Sequence, residues 1–276
     1  AREYTCGTRS LKTVIMSPLL SLPFMENDRQ RVEKALVASV TTNDVYMTEI
    51  ASHLISAGGK RLRPVFVIAG SQVGNDLVAT DDAIAGAISC ELVHLGSLYH
   101  DDVMDESDMR RGVETVNAKW GNLQAILAGD FLLAKASEIA ASLGTEVAAL
   151  LARTIGHLCE GQIEELRHTY NVERTVDSYL DSIDGKTAAL YSTAARIGGL
   201  VAGHDRAVVD ALTAYGTAYG MVFQIVDDVL DLTATDEELG KPAGNDMKEG
   251  VYTLPVLHTL VKGGKDADTL KSILGK

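Results

Sequence analysis

Six aspartates in two matching triplets are the residues whose types and spacing point to chemistry. Asp101, Asp102 and Asp105 stand at i, i+1 and i+4 in HLGSLYHDDVMDESDMRRG, and Asp227, Asp228 and Asp231 repeat that spacing in FQIVDDVLDL. On a helix the first and last of each triplet lie one above the other, with the middle one on the adjoining flank. No basic residue falls between them, so unaided they repel. A solvated face explains most single charge runs. Two identical triplets inside apolar helical sequence are not explained that way. All-oxygen donors suit a hard cation, magnesium before zinc or copper. The spacing is not that of an EF-hand loop, which needs alternate acidic positions and a central glycine. A turn later Arg110 and Arg111 add fixed positive charge, and guanidinium groups suit phosphate oxygens. The combination describes a site for metal-bridged phosphate.

Other candidates are scattered along the chain. Gly58-Gly59 ends a helical stretch and is followed at once by Lys60, Arg61 and Arg63, with Pro64 opening the next helix. This is either an anion site or a basic loop offsetting an acidic body. His94 lies two turns before Asp101 on roughly the same face. Lys186-Thr187 interrupts an Ala-rich helix, where it offers a charge and a hydroxyl to a phosphate or is an ordinary exposed pair. Gln224 precedes Asp228 by one turn. Lys241 and Lys248 lie in an acidic, Gly-rich loop suited to closing over a ligand. Asp130, in AGDFLLAK, reads as a buried hydrogen-bond acceptor between helices.

The elements that must position these groups are helical. The chain has 276 residues, 46% hydrophobic and 5% aromatic, with five prolines. Its apolar content is carried by Ala, Leu, Val and Ile, which favours helix and can fill one large core. No strand-like alternation, linker or internal low-complexity tract appears. The expectation is an all-α, single-domain helical bundle over 26–276 with an irregular N-terminal arm at 1–25. A net charge of −13 argues against nucleic acid as the main partner. Cys6, Cys90 and Cys159 have neither zinc nor disulfide spacing, which points to a reducing cytoplasm, with Cys90 and Cys159 expected in the core. No apolar run is long enough to span a membrane, and the patch TVIMSPLLSLPFM lacks a signal-peptide pattern, so no membrane anchor is expected.

With both triplets, the GGKRLRP loop and the Lys-Thr pair in view, the sequence closely resembles the trans-isoprenyl (polyprenyl) diphosphate synthases from about Glu26 to Leu260. DDVMDESDMRRG resembles that family's first Asp-rich motif and DDVLD its second. The resemblance implies a helical bundle around a deep central cavity, usually homodimeric. The implied reaction joins isopentenyl diphosphate head to tail to an allylic diphosphate. It further implies that Asp101, Asp102, Asp105, Asp227, Asp228 and Asp231 hold magnesium, three ions per site, bridging the allylic diphosphate. Arg110, Lys186 and Lys241 would grip that diphosphate. Lys60, Arg63, His94 and Arg111 would hold isopentenyl diphosphate, and Thr187 and Gln224 would line the reacting end. In the family, bulky residues just before the first motif floor the cavity. Gly96 and Ser97 are small, so a product of twenty carbons or longer is expected, and Tyr99 stands too close to the motif to act as the floor.

Two departures bear on this. Val251 stands where the family commonly has a lysine, a role for which Lys248 is the nearby substitute. The sequence also stops earlier than most members. A class I terpene cyclase normally keeps only one such Asp-rich motif and lacks the GGKRLRP loop. A non-catalytic subunit of a heteromeric synthase is expected to lose these motifs, and a purely structural bundle leaves both triplets unexplained.

Overall fold

The computed structural model describes residues 19–22, 24–74, 78–235 and 244–274. Cys6, Lys241, Pro242 and most of the expected N-terminal arm lie outside the described residues. The described chain is all-α, apart from one two-residue hairpin.

Helix α1 (Met25–Val40) stops at the polar break, and α2 (Val45–Ser56) starts where the Asp44 carboxylate accepts from the Tyr46 and Met47 amides at 2.9 and 3.2 Å. Helix α3 (Leu62–Ser71) follows the Gly58-Gly59 turn. The long α4 (Asp81–Met104) begins at Thr80, whose hydroxyl accepts from Ala83 N. It is buried along most of its length, including Leu92, Leu95 and Tyr99, so it is the central rod of the bundle. Next come β1 (Met109–Arg110), β2 (Val113–Glu114), α5 (Val116–Trp120), α6 (Asn122–Ser142) and α7 (Thr145–Arg167). Helix α8 (Val176–Ile183) runs into a π-helical turn, Asp184–Ala188, and on into α9 (Ala189–Val201). Helix α10 (Arg206–Thr233), the short α11 (Asn245–Lys248), α12 (Leu254–Lys262) and α13 (Lys265–Ile273) complete the described chain.

The main core joins α1 to α4, α6, α7 and α9. A smaller cluster of Tyr179, Ile183, Tyr252, Val256 and Leu257 fastens the C-terminal segment to α8. Three local expectations change. The helix does not continue to the two arginines: α4 ends at Met104, and Arg110 and Arg111 belong to an antiparallel hairpin pairing Arg110 with Val113. Both loop residues, Arg111 and Gly112, have positive φ (54° and 79°), the backbone of a primed two-residue turn whose twist matches the strands. A two-residue strand is too short to leave an alternating pattern. Asp130 is exposed (62%) and faces His100 at 3.4 Å on the surface. Cys90 is buried, whereas Cys159 is exposed on the outer face of α7, because a helix rim can be apolar without facing its own core.

Candidate active site

The first triplet sits at the C-terminal end of α4. Asp101 and Asp102 occupy the last turn and Asp105 caps it. Asp102 is 1% exposed; its Oδ1 accepts from Arg110 Nε at 2.6 Å, while Oδ2 is buried without a hydrogen-bond partner. The hairpin therefore folds Arg110 back onto the triplet, doing what helix spacing was expected to do. Burial, with Asp105 and Asp102 as like-charged neighbours, pushes Asp101 up to about 6 despite the opposing pull of Lys186. A helix C-terminus, with its negative dipole end, adds to that cost.

The second triplet lies near the end of α10. Both oxygens of buried Asp228 are oriented: Oδ1 by Gln224 Nε2 at 2.8 Å and Oδ2 by the Tyr179 hydroxyl at 2.6 Å. Thr187 Oγ1 in turn donates to Gln224 Oε1 at 2.8 Å. Thr187, Gln224 and Asp228 thus form one relay. Burial pushes Asp228 up to about 6, against the two hydrogen bonds that favour its charge. Asp231 is buried and accepts from the Asp246 amide at 3.3 Å.

Lys186 comes from the π-helical turn. A Cβ on Gly161 would lie 2.4 Å from Lys186 N, and one on Gly185 would lie 2.7 Å from the His157 carbonyl. Only glycines let α7 press onto this turn, and π-turns recur at functional sites because they re-aim a side chain. The ammonium donates to Glu165 Oε1 at 2.6 Å. Burial opposes its charge, but Glu165, Asp101 and Asp105 outweigh burial and hold Lys186 above its usual range. Lys186 therefore faces the first triplet from across the bundle.

Two cavities meet here. The larger, about 980 Å³, carries Asp105, Asp228, Arg110 and Lys186. The smaller, about 400 Å³, carries Lys60, Arg63, His94 and Glu91. Arg111 lines both. Its Nη1 donates to the Leu54 carbonyl at 3.2 Å and also to the Gly58 carbonyl, which ties the hairpin to the Gly-Gly turn. Arg63 lies over the Tyr191 ring, 4.6 Å from its centroid. Burial, then the charges of Arg63, Arg111, Arg110 and Arg61, pushes His94 well below its usual range, so the imidazole is neutral. Arg61 lines the smaller cavity too, with its guanidinium claimed by carboxylates. It adopts a left-handed backbone (φ 51°), is 2% exposed, and is pinned by Glu33 at 2.7 and 3.1 Å and by Glu91 at 3.1 Å.

Gly96 and Ser97 lie outside both groups. A Cβ on Gly96 would come within 3.0 Å of the Gly129 carbonyl oxygen, so this glycine serves the crossing of α4 and α6. The Ser97 hydroxyl returns to the His94 carbonyl at 2.9 Å. Lys248 is exposed, and Val251 lines the larger cavity. Sequence reasoning missed Glu91, Glu165, Arg174, Tyr179 and Asp246. Only Glu165 had a signal, since a lysine inside an apolar helix requires a counter-charge.

Among the described residues no three acidic, His or Cys side chains converge on a single metal point. The donors are instead dispersed: Asp105 and Asp228 line the larger cavity, and one oxygen of Asp102 is buried without a partner. That suits magnesium, which is commonly held by one or two carboxylates plus water and substrate phosphates rather than by a protein cage.

Fold and site together define an all-α protein with an acid-lined cavity abutting a basic one. A family model for polyprenyl synthetase matches residues 44–276. The chain is 41% identical over 244 residues to nonaprenyl diphosphate synthase of Mycobacterium tuberculosis, covering 88% of this chain and 72% of that protein. It is 43% identical over 239 residues to heptaprenyl diphosphate synthase component 2 of Geobacillus stearothermophilus, covering 86% and 74%. The structure of a Caulobacter crescentus polyprenyl synthase complexed with calcium and isoprenyl diphosphate superposes with a TM-score of 0.86 at 34% identity, covering 94% and 79%. The chain belongs to the polyprenyl synthetase family and is a prenyltransferase of the trans-prenyl diphosphate synthase kind.

Proposed function

We propose that this enzyme condenses isopentenyl diphosphate with an allylic diphosphate and elongates the product to twenty carbons or more. The observation that carries the reading is the pair of abutting cavities, one acidic with Lys186 and Arg110, the other basic, with Arg111 shared between them. Two diphosphates can lie side by side across that arginine.

The allylic diphosphate occupies the larger cavity, gripped by Arg110 and Lys186; the resemblance adds Lys241, which lies outside the described residues. Asp101, Asp102, Asp105, Asp227, Asp228 and Asp231 would hold magnesium, three ions per site, which would supply positive charge to the departing diphosphate. Arg110 and Lys186 add fixed charge to the same oxygens. Thr187 and Gln224 turn oxygen dipoles towards the carbon that becomes positive. Lys60, Arg63, His94 and Arg111 hold isopentenyl diphosphate so that its double bond reaches that carbon. Neutral His94 donates a hydrogen bond without adding a charge. No protein nucleophile takes part, and exclusion of water protects the carbocation.

Named relatives include geranylgeranyl, heptaprenyl and nonaprenyl diphosphate synthases beside one named only as short chain; the weight of these names supports a long product, and the small side chain of Ser97 agrees with it. A homodimer is supported by the outer faces of α6 and α7. Leu123 and Leu127 on one, and Ile163 and Leu166 on the other, are exposed apolar groups at helical spacing. A second reading, a catalytic subunit that needs a different partner chain, is favoured by the likeness to component 2 of a heptaprenyl synthase. No described helix is long and apolar enough to cross a membrane, and the cytoplasm is the proposed location.

The test is elongation of ten-, fifteen- and twenty-carbon allylic diphosphates by the purified protein with labelled isopentenyl diphosphate and magnesium. Chain-length analysis is run beside Asp101→Ala and Asp227→Ala. Elongation lost in both variants supports the reading. Cyclic hydrocarbons and free diphosphate would replace it with a cyclase. Elongation only after a partner subunit is added would establish the heteromer.

A further inference from the structure

Arg174 lines the larger cavity from the turn between α7 and α8, and it is 4% exposed. Its Nη2 donates to Ser182 Oγ at 2.5 Å and its Nη1 to the Tyr252 carbonyl at 3.4 Å, both neutral acceptors. Its Nε is buried without a partner among the described residues. The carboxylates whose charge reaches it are engaged elsewhere. Glu165 takes Lys186, Glu164 takes Ser178 and His168, and Asp228 takes Tyr179 and Gln224. A buried guanidinium that lacks its own carboxylate is expensive in free energy unless an anion completes it. Here the guanidinium stands on the wall of a cavity that already carries Arg110 and Lys186, and its planar fork is suited to phosphate oxygens.

We propose that Arg174 is a further diphosphate-binding residue of the larger cavity, meeting the phosphate oxygens of the allylic substrate on the side bordered by Val251. The proposal rests on the function proposed above. Val251 lines the same cavity and is bonded to Tyr252, whose carbonyl Arg174 holds. The two positions therefore serve the same side of one anion. Tyr252 and Thr253 are both buried, and they fix that border.

The experiment measures farnesyl diphosphate binding in the presence of magnesium by calorimetry, and the KM for isopentenyl diphosphate, in the full chain. Arg174→Gln weakens farnesyl diphosphate about tenfold or more and moves the KM for isopentenyl diphosphate less than about twofold, since a charge-assisted contact is lost on one side only. Arg174→Lys keeps most of the affinity. Val251→Lys added to Arg174→Gln restores a large part of it, which a residue serving only to brace the fold would not allow. Farnesyl diphosphate affinity unchanged in Arg174→Gln, or equal weakening of both substrates, overturns the proposal. If Arg174→Gln does not fold, Val251→Lys in the otherwise unaltered chain takes its place: about threefold tighter binding supports the shared anion, and unchanged binding refutes it. If the unaltered chain elongates no primer, the function itself falls. If it elongates while Arg174→Gln binds normally, only the assignment of Arg174 falls.

Discussion

The Tyr179 hydroxyl donates to Asp228 Oδ2 across 2.6 Å, from a ring that is 1% exposed to a carboxylate that is 3% exposed. The bond joins α8 to α10 and fixes which way the middle aspartate of the second triplet turns. Burial, then the neighbouring Asp228 charge, raises the Tyr179 phenol far above its usual range, so it remains a donor at any working pH. Tyr179→Phe removes that donor and leaves Asp228 with Gln224 alone. The expected result is a higher magnesium requirement, with kcat down about tenfold by loss of one charge-assisted hydrogen bond. Magnesium titration of the elongation rate checks it, and an unchanged half-saturation point would argue against the role.

Arg61 is a structural residue amid neighbours proposed to bind substrate. Arg61→Ala leaves Glu91 buried, 1% exposed, without its hydrogen-bonded counter-ion, Arg63 and Arg111 acting on it only at longer range. Breaking such a pair costs about 3–5 kcal/mol. Chemical denaturation should show that loss, while Glu33→Gln, at a carboxylate that is itself 44% exposed to solvent, should show far less.

His94 gives the site a pH signature. In the folded protein its affinity for protons is held well below the usual 6.5 by burial and the surrounding arginines. Between the depressed value and about 6.5 the unfolded chain binds the proton that the folded chain refuses. The stability that neutral His94 contributes is therefore full above about 6.5, falls as pH drops below it, and is gone below the folded value. Thermal melts of the wild type and His94→Gln from pH 8 to pH 5 should diverge below 6.5, the variant losing less. Parallel curves would exclude the effect.

Ser97 offers the product-length test, since a Cβ at Gly96 already meets the backbone of α6. Ser97→Phe should shorten the product by one or more five-carbon units while leaving the first condensation intact. Chromatography of the product after dephosphorylation decides it, and an unaltered length removes Ser97 from the wall that limits growth.

Much of this was legible in the residues because it depends on local pattern. Helical periodicity, few prolines and the absence of alternation fixed the all-α class. The i, i+1, i+4 spacing marked both triplets, and the Gly-Gly turn placed Lys60 and Arg63 at a helix start. Lys186-Thr187 and Gln224 were visible as polar groups in apolar helices, but their partners were not.

What the tertiary structure alone decided depends on contacts between residues distant in sequence. Arg110 reaches Asp102 because a two-residue hairpin turns the chain back, and such a turn has too few residues to carry a period. Arg61 and Arg63 look alike in GGKRLRP, yet Glu33 and Glu91 claim the first and leave the second to Tyr191, a choice made by α1 and α4. Lys186 faces Asp101 because two glycines bring α7 against a π-turn. Arg174 and Tyr179 carry no motif at all; they matter because packing, which is non-local, buries them beside one cavity. The sequence by itself determined the elements and the acidic and basic groups they bear. Only the folded chain determined which of those groups neutralise each other and which remain facing the cavity.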